Sequence, residues 1–203
     1  MVSIEFVFYI MIIFFGMVGA IRGWQKEVIA LAGLIGAVAF LHQFGNYLIS
    51  IGNLFYRFSS EDNVTPQIQA QREFWIQAIF FSLIAFFSYQ IISSLADRAP
   101  TNSRGERVRS GFQSRFIGLI IGMVNGYLLV GSLWGFLEYQ LVPNGYEPIA
   151  RNAQYAFDNT YVVRSVTEAS LNVAEYLPLS LFGSGIWLLL FFISFFVVII
   201  ALI

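Results

Sequence analysis

The chain has 203 residues, of which 58% are hydrophobic and only 11% are charged, against about 25% charged residues in an average soluble domain. This deficit excludes a globule folded in water and predicts an all-α transmembrane helical bundle, because the apolar residues come in blocks. The chain has no cysteine and a formal net charge of −1, so we expect no disulfide, no cysteine-based metal or redox site and no nucleic-acid partner.

The first predicted element is a transmembrane helix over residues 4–21. We expect a retained helix rather than a cleaved signal peptide, because the chain begins MVSIEF, with Glu5 and without a basic residue. The second run, residues 28–56, carries no acidic or basic charge and is too long for one plain span. We therefore predict a second span near residues 28–43, after which GNYLISIGNLFYRF lies along the membrane surface.

Three further spans are predicted, over residues 74–95, 116–137 and 179–203. Before the last of them, apolar residues from Val162 to Tyr176 recur at helical spacing, which indicates an amphipathic external helix that Pro178 ends. The predicted organisation is a four-helix membrane core (1–140), an external loop with the amphipathic helix (141–178) and a C-terminal transmembrane helix (179–203).

Basic residues set the predicted orientation, because cytoplasmic loops of membrane proteins carry an excess of Lys and Arg. The turn between the first two spans has Arg22 and Lys26. The loop between the third and fourth spans has five arginines, namely Arg98, Arg104, Arg107, Arg109 and Arg115. We predict that both connections are cytoplasmic, with the N-terminus outside and the C-terminus inside. The arginine-rich loop could also dock lipid or a partner protein.

These two cytoplasmic connections resemble each other, since RGWQKEVIAL (22–31) aligns without gaps with SGFQSRFIGL (110–119). The alignment indicates two parallel helical hairpins, either as a duplication or as two uses of one re-entry signal. Small residues in the two outward-going helices predict close helix packing, against each other or against another subunit. These residues are Gly33, Ala37, Gly118, Gly122, Gly126, Gly131 and Gly135.

Several of these features together resemble the colicin V production protein family of bacterial inner-membrane proteins. The matching stretches are Glu5, Gly19-Ala20-Ile21-Arg22-Gly23, Lys26-Glu27-Val28, the glycine-rich run from Arg115 to Gly126, and VVRSVTEASLNVAEYLP ending at Pro178. The resemblance implies a protein of the bacterial inner membrane connected with toxin export or envelope maintenance. It supplies no catalytic residues, and the last span is an additional helix beyond the usual four.

The residues themselves give no sign of an enzyme, since no nucleotide-binding, metalloprotease or nucleophile motif is present. His42, the only histidine, is interpreted as an interfacial hydrogen-bonding residue, with a pigment or haem ligand as the alternative. Asn125 is the most central polar residue, and we expect it to form a hydrogen bond between helices. No predicted span carries a charge at its centre, which disfavours an ion-coupled carrier.

The function predicted first is therefore that of a non-enzymatic membrane protein that acts through partner proteins. The alternative is a structural subunit of a large energy-converting complex, because the 22 phenylalanines are suited to contact with lipids, quinones, carotenoids or other helices. A small channel or carrier ranks last. The expected partners are membrane lipids and other membrane protein subunits. A bound lipid, quinone or pigment is the only cofactor considered.

Overall fold

The computed structural model of the chain describes residues 4–57, 65–96, 112–143, 145–150, 155–157 and 168–202. In these ranges the protein is α-helical apart from one β-hairpin, which confirms the predicted fold class. The helices are α1 (Ile4–Arg22), α2 (Trp24–Arg57), α3 (Pro66–Ala96), α4 (Phe112–Glu138), α5 (Glu168–Glu175), α6 (Pro178–Leu181) and α7 (Ser184–Leu202). The hairpin pairs β1 (Tyr139–Val142) with β2 (Gly145–Pro148) in antiparallel register.

Three helices in the described ranges are long and apolar enough to cross a membrane, namely α1, residues Trp24–Leu54 of α2, and α4. The apolar part of α7, Ser184–Ile199, is shorter, and α3 carries polar residues such as Gln77, Ser82 and Ser88 along its length. The protein is thus a helical membrane protein. The number of five spans stays a prediction.

Helix α2 differs from its prediction, because it continues without a break for 34 residues. The predicted change of direction after Gln43 is wrong, and the end of the second span near Gln43 stays a prediction. At 1.5 Å per residue α2 is about 51 Å long, well beyond the roughly 30 Å hydrocarbon core of a bilayer. Its second half is held by packing, with Gly45 against Leu141 and Gly52 against Ile76. These contacts stabilise a helix where local sequence suggested a change of direction.

The segment before α7 also departs from its prediction. Pro178 does not end the amphipathic helix, since α5 stops at Glu175 and Pro178 opens the short helix α6. Proline is well suited to the first turn of a helix, where its missing N–H has no intrahelical partner. The last long helix consequently begins at Ser184 and not at residue 179. The predicted start of the amphipathic helix, at Val162, lies outside the described residues.

Contacts between helices show how they run relative to one another. Helices α1 and α4 are antiparallel, with Gly19 against Gly118 at one end and Phe8 against Trp134 at the other. Helix α7 is antiparallel to α2, because Trp187 packs on His42 and Phe191 lies beside Gly36. One end of the bundle therefore holds the end of α1 and the starts of α2 and α4, and we call it the basic end. The opposite end holds β1 and β2 and is called the β-hairpin end.

The core lies between α2, α3, α4 and α7 and is almost entirely apolar. Its most buried members are Leu34, Ala37, Val38, Leu41, Phe81, Leu179 and Trp187. The outer faces of α1 and α7 expose large apolar side chains, among them Phe14 at 49% and Phe196 at 63%. A water-soluble protein does not expose contiguous apolar faces of this kind, so these faces are suited to contact with lipid.

Candidate functional site

The most buried charged residue that the structure describes is Glu27, whose side chain is fully enclosed although it lies in the first turn of α2. Only Gly23 separates α1 from α2, and its φ of +85° makes the reversal without strain. This tight turn places Arg22, the last residue of α1, beside Glu27. The guanidinium Nη1 donates to the carboxylate Oε1 over 2.9 Å, and the Arg22 side chain remains 20% exposed.

Two other helices complete the surroundings of the Glu27 carboxylate. From α4, the Asn125 amide nitrogen donates to the second carboxylate oxygen at 2.7 Å and to the Glu27 backbone carbonyl at 3.0 Å. From α3, the Tyr89 hydroxyl lies 3.5 Å from that same carboxylate oxygen. Arg22 in turn donates to the Tyr89 carbonyl at 3.0 Å, and its Cζ lies 4.6 Å from the centre of the Tyr89 ring. We call Arg22, Glu27, Tyr89 and Asn125 the Glu27 network.

The geometry of the Glu27 network shows which of its groups donate hydrogen bonds and which accept them. The Asn125 nitrogen faces a carbonyl oxygen as well as the carboxylate, so the amide must present its NH₂ group on this side. The carboxylate then accepts hydrogen bonds from Arg22, Asn125 and Tyr89, which is the arrangement that makes a buried charge tolerable. The network joins α1, α2, α3 and α4 at a single carboxylate. Its chemistry is that of a fixed anchor between helices.

Sequence reasoning found part of this network. The interhelical hydrogen bond expected of Asn125 is confirmed. In the sequence, Glu27 stands out only as part of the Lys26-Glu27-Val28 motif, and no pattern points to Tyr89. The available signal was an acidic residue at the start of a long uncharged run, five residues after an arginine and with a glycine between them. A charge in that position needs a partner unless it reaches water.

Three of the predicted packing glycines of α4, Gly118, Gly122 and Gly126, lie against α1. A Cβ built on Gly118 would be 2.4 Å from the Gly19 carbonyl oxygen, and one on Gly122 would be 2.4 Å from the Phe15 carbonyl oxygen. A Cβ on Gly126 would be 2.8 Å from the Phe15 Cβ. The two helices thus meet backbone to backbone, and the helix that faces these glycines is α1 rather than the second span or another subunit.

The remaining small residues face other elements. Gly131 lies against Pro178 and Gly135 against Leu179, so both accommodate α6. Gly33 lies against the Ser88 side chain of α3, and Ala37 is fully buried in the core.

His42 is 3% exposed, and each of its ring nitrogens lies near a backbone carbonyl, so the single N–H of a neutral imidazole donates to one of the two. Its Nδ1 lies 3.0 Å from the Val38 oxygen and its Nε2 lies 3.2 Å from the Leu179 oxygen of α6. The two ring nitrogens therefore face carbonyls rather than a site for haem or pigment. The Tyr146 ring packs edge-on against the imidazole, and the Tyr146 hydroxyl donates to Gln77 Oε1 over 2.6 Å. Burial raises the pKa of the Tyr146 phenol, which keeps it a hydrogen-bond donor.

The basic residues predicted to mark the cytoplasmic connections fall together where they are described. Arg22 ends α1, Lys26 lies in the first turn of α2, and Arg115 is exposed in the first turn of α4. Arg104, Arg107 and Arg109 lie outside the described residues. The two similar stretches correspond closely, because the aligned residues Trp24 and Phe112 are each the first residue of a helix.

Of three comparisons with known proteins, one gave a match. Neither the curated proteins nor the solved structures yielded a significant match. A family model described as colicin V production protein matches residues 4–171. The matched range contains the whole Glu27 network and the contact between α1 and α4, and it leaves α6 and α7 outside. The match covers most of the chain, and the protein therefore belongs to the colicin V production protein family.

Proposed function

We propose that this protein is a non-enzymatic component of the bacterial inner membrane that acts in toxin export or envelope maintenance through partner proteins. Membership of the colicin V production protein family is the observation that carries the proposal. In this proposal the N-terminus lies outside, the basic end faces the cytoplasm, and the partners are other membrane proteins that contact the apolar outer faces of the helices.

The Glu27 network supports a structural role for the four-helix unit. Its carboxylate already accepts three hydrogen bonds, and its guanidinium is engaged with both Glu27 and Tyr89. A group that catalyses proton transfer must instead reach a reacting atom within hydrogen-bond distance. Together with the backbone contact between α1 and α4, the network favours a rigid scaffold on which partners assemble.

The orientation can be tested directly, because the chain contains no cysteine and single cysteines can be introduced cleanly. We expect Arg115→Cys, at the basic end, to react with a membrane-impermeant maleimide only after the inner membrane is opened. Glu147→Cys, in the exposed part of β2, should react in intact spheroplasts. The reverse labelling pattern would contradict the proposed orientation.

The functional proposal is tested by gentle detergent extraction followed by native-gel mass spectrometry. We expect stoichiometric partner proteins of export or envelope maintenance, and a deletion strain that secretes less peptide toxin or tolerates detergents less well. Restoration by the wild-type gene is the control. Co-migration with a coloured or redox-active complex, or solute flux in proteoliposomes containing this protein alone, would contradict the proposal.

A further inference from the structure

A second feature of the molecule is a groove between α3 and α4 on the outside of the bundle, with a volume of about 470 Å³. It is lined by Trp75, Ala78, Ile79, Ser82 and Leu83 of α3 and by Leu133 of α4. Ser82 contributes a hydroxyl, and the other side chains are aliphatic or aromatic. The groove is therefore suited to a hydrocarbon chain. We call this feature the α3–α4 groove.

Aromatic residues close the α3–α4 groove towards the β-hairpin end. The Phe157 ring packs edge-on against Phe74, with centroids 5.2 Å apart, and against Trp75 at 6.2 Å. The segment that carries Phe157 is held to the end of α4 by a hydrogen bond from the Tyr155 hydroxyl to Glu138. Trp75 is half exposed, which is typical of a tryptophan at the level of the lipid headgroups.

A basic residue lies at the headgroup end of this groove. Arg72 is on the same face of α3 as Trp75 and Ile79, at spacings of three and seven residues, and is about 4.5 Å nearer the helix start than Trp75. A guanidinium is the side chain best matched to a phosphate group. Along this face of α3, from the helix start, the order is therefore Arg72, the interfacial Trp75 and then the apolar groove.

We propose that the α3–α4 groove binds one phospholipid molecule, with an acyl chain in the groove and the phosphate at Arg72. The order of the groups along α3 is that of an amphiphile lying with its head towards the β-hairpin end. The inference needs insertion in a membrane, but it does not depend on a role in export.

The test is native mass spectrometry of the full chain after a fixed detergent wash, with phosphatidylglycerol as the lipid added back. We expect wild-type protein to retain one phospholipid. Ser82→Trp should abolish retention by filling the groove, and since Ser82 is exposed the added ring needs no space in the core. Arg72→Gln should weaken retention about five-fold, the factor for one basic residue at a lipid surface.

Matched controls separate these effects from general ones. Leu189→Trp places the same ring on the exposed face of α7, and Arg115→Gln removes a charge at the opposite end of the bundle. Both should retain the lipid as wild type does. Wild-type protein without bound phospholipid, equal retention by Ser82→Trp and Leu189→Trp, a bound quinone in place of phospholipid, or a dimer that Ser82→Trp dissociates would each overturn the proposal. Unchanged elution volume and melting temperature show that a variant is folded.

Discussion

The two ends of the bundle enclose polar groups in different ways. At the basic end a formal ion pair, Arg22 with Glu27, is enclosed by donors from two further helices. At the β-hairpin end, the His42 ring lies between two backbone carbonyls and donates to one of them, and the Tyr146 hydroxyl donates to the amide oxygen of Gln77. The ion pair is possible at the basic end because Arg22 still reaches water. At the other end, where both Gln77 and His42 are almost fully buried, carbonyl, amide and phenol groups take the place of opposite charges.

If the basic end depends on its charge, Glu27→Ala should produce the largest effect in the molecule. The change removes the carboxylate that Arg22 and Asn125 share and leaves each with only a backbone carbonyl as acceptor. Breaking a buried ion pair costs roughly 3–5 kcal/mol. We expect the lower part of that range, since Arg22 is 20% exposed and can turn towards water. Reversible unfolding in mixed micelles measures the free energy, with Glu147→Ala in β2 as the control. Equal stabilities of the two variants would show that the network does not hold the helices together.

The same end contains the backbone contact between α1 and α4, and Gly122→Leu tests it. A Cβ at this position would lie 2.4 Å from the Phe15 carbonyl oxygen, so the helices must separate. Overpacking of this kind costs about 1–3 kcal/mol. The matched control is Gly185→Leu in α7, where a Cβ would meet nothing within 4 Å. A melting temperature lowered only in Gly122→Leu would support the contact, and an equal shift in both variants would refute it.

Sequence reasoning located the small-residue face of α4 but not the helix that it contacts. The regular spacing of Gly118, Gly122 and Gly126 is a local pattern, and it shows which side of α4 is narrow. The opposing residues on α1, Gly16 and Gly19, are three apart and were not seen as a face. The identity of a partner helix depends on how the second helix is rotated, and no local pattern records that rotation.

The burial of Glu27 escaped prediction for a related reason. A carboxylate in the first turn of a helix is favourable whether it is solvated or buried, so its position beside Arg22 suggests a partner but does not show that it is enclosed. What encloses it is Asn125, 98 residues further along the chain. The starts of α2 and α4, in contrast, fall inside the two similar stretches, because a glycine followed by an aromatic residue is a local signal.

At the β-hairpin end, Tyr146→Phe should have a smaller effect than either change at the basic end. It removes the hydrogen bond to Gln77, whose side chain is 2% exposed, and a buried acceptor left without a donor costs about 1–3 kcal/mol. We expect the low end, about 1 kcal/mol, since the net contribution of a bond between neutral groups is about 0.5–1.5 kcal/mol. The bond from the Gln77 N–H to the Glu73 carbonyl is the same in both proteins. The control is Tyr47→Phe, at a phenol that is 69% exposed.

The Tyr146 variant also gives a test by pH. Burial raises the pKa of the Tyr146 phenol above that of the unfolded chain, so the neutral phenol stabilises the folded state below the unfolded pKa of about 10. This contribution is constant below that pH and declines as the pH rises above it. The free-energy difference between wild type and Tyr146→Phe should therefore be flat from pH 7 to 9 and shrink beyond about pH 10. A difference that grows with alkaline pH would show that the phenol is not enclosed.

The smallest expected effect concerns the attachment of the β-hairpin to the second half of α2. Asn46 donates its side-chain N–H to the Val142 carbonyl over 3.1 Å, at a partly exposed position. Water can replace this bond, so Asn46→Ala should cost only about 0.5–1 kcal/mol. Backbone hydrogen exchange of β1 should become faster in this variant and stay unchanged in Gln140→Ala, an exposed residue of the same strand. If exchange were equally fast in both, the Asn46 bond would not hold the hairpin to α2, and the packing of Gly45 against Leu141 would be the contact that attaches it.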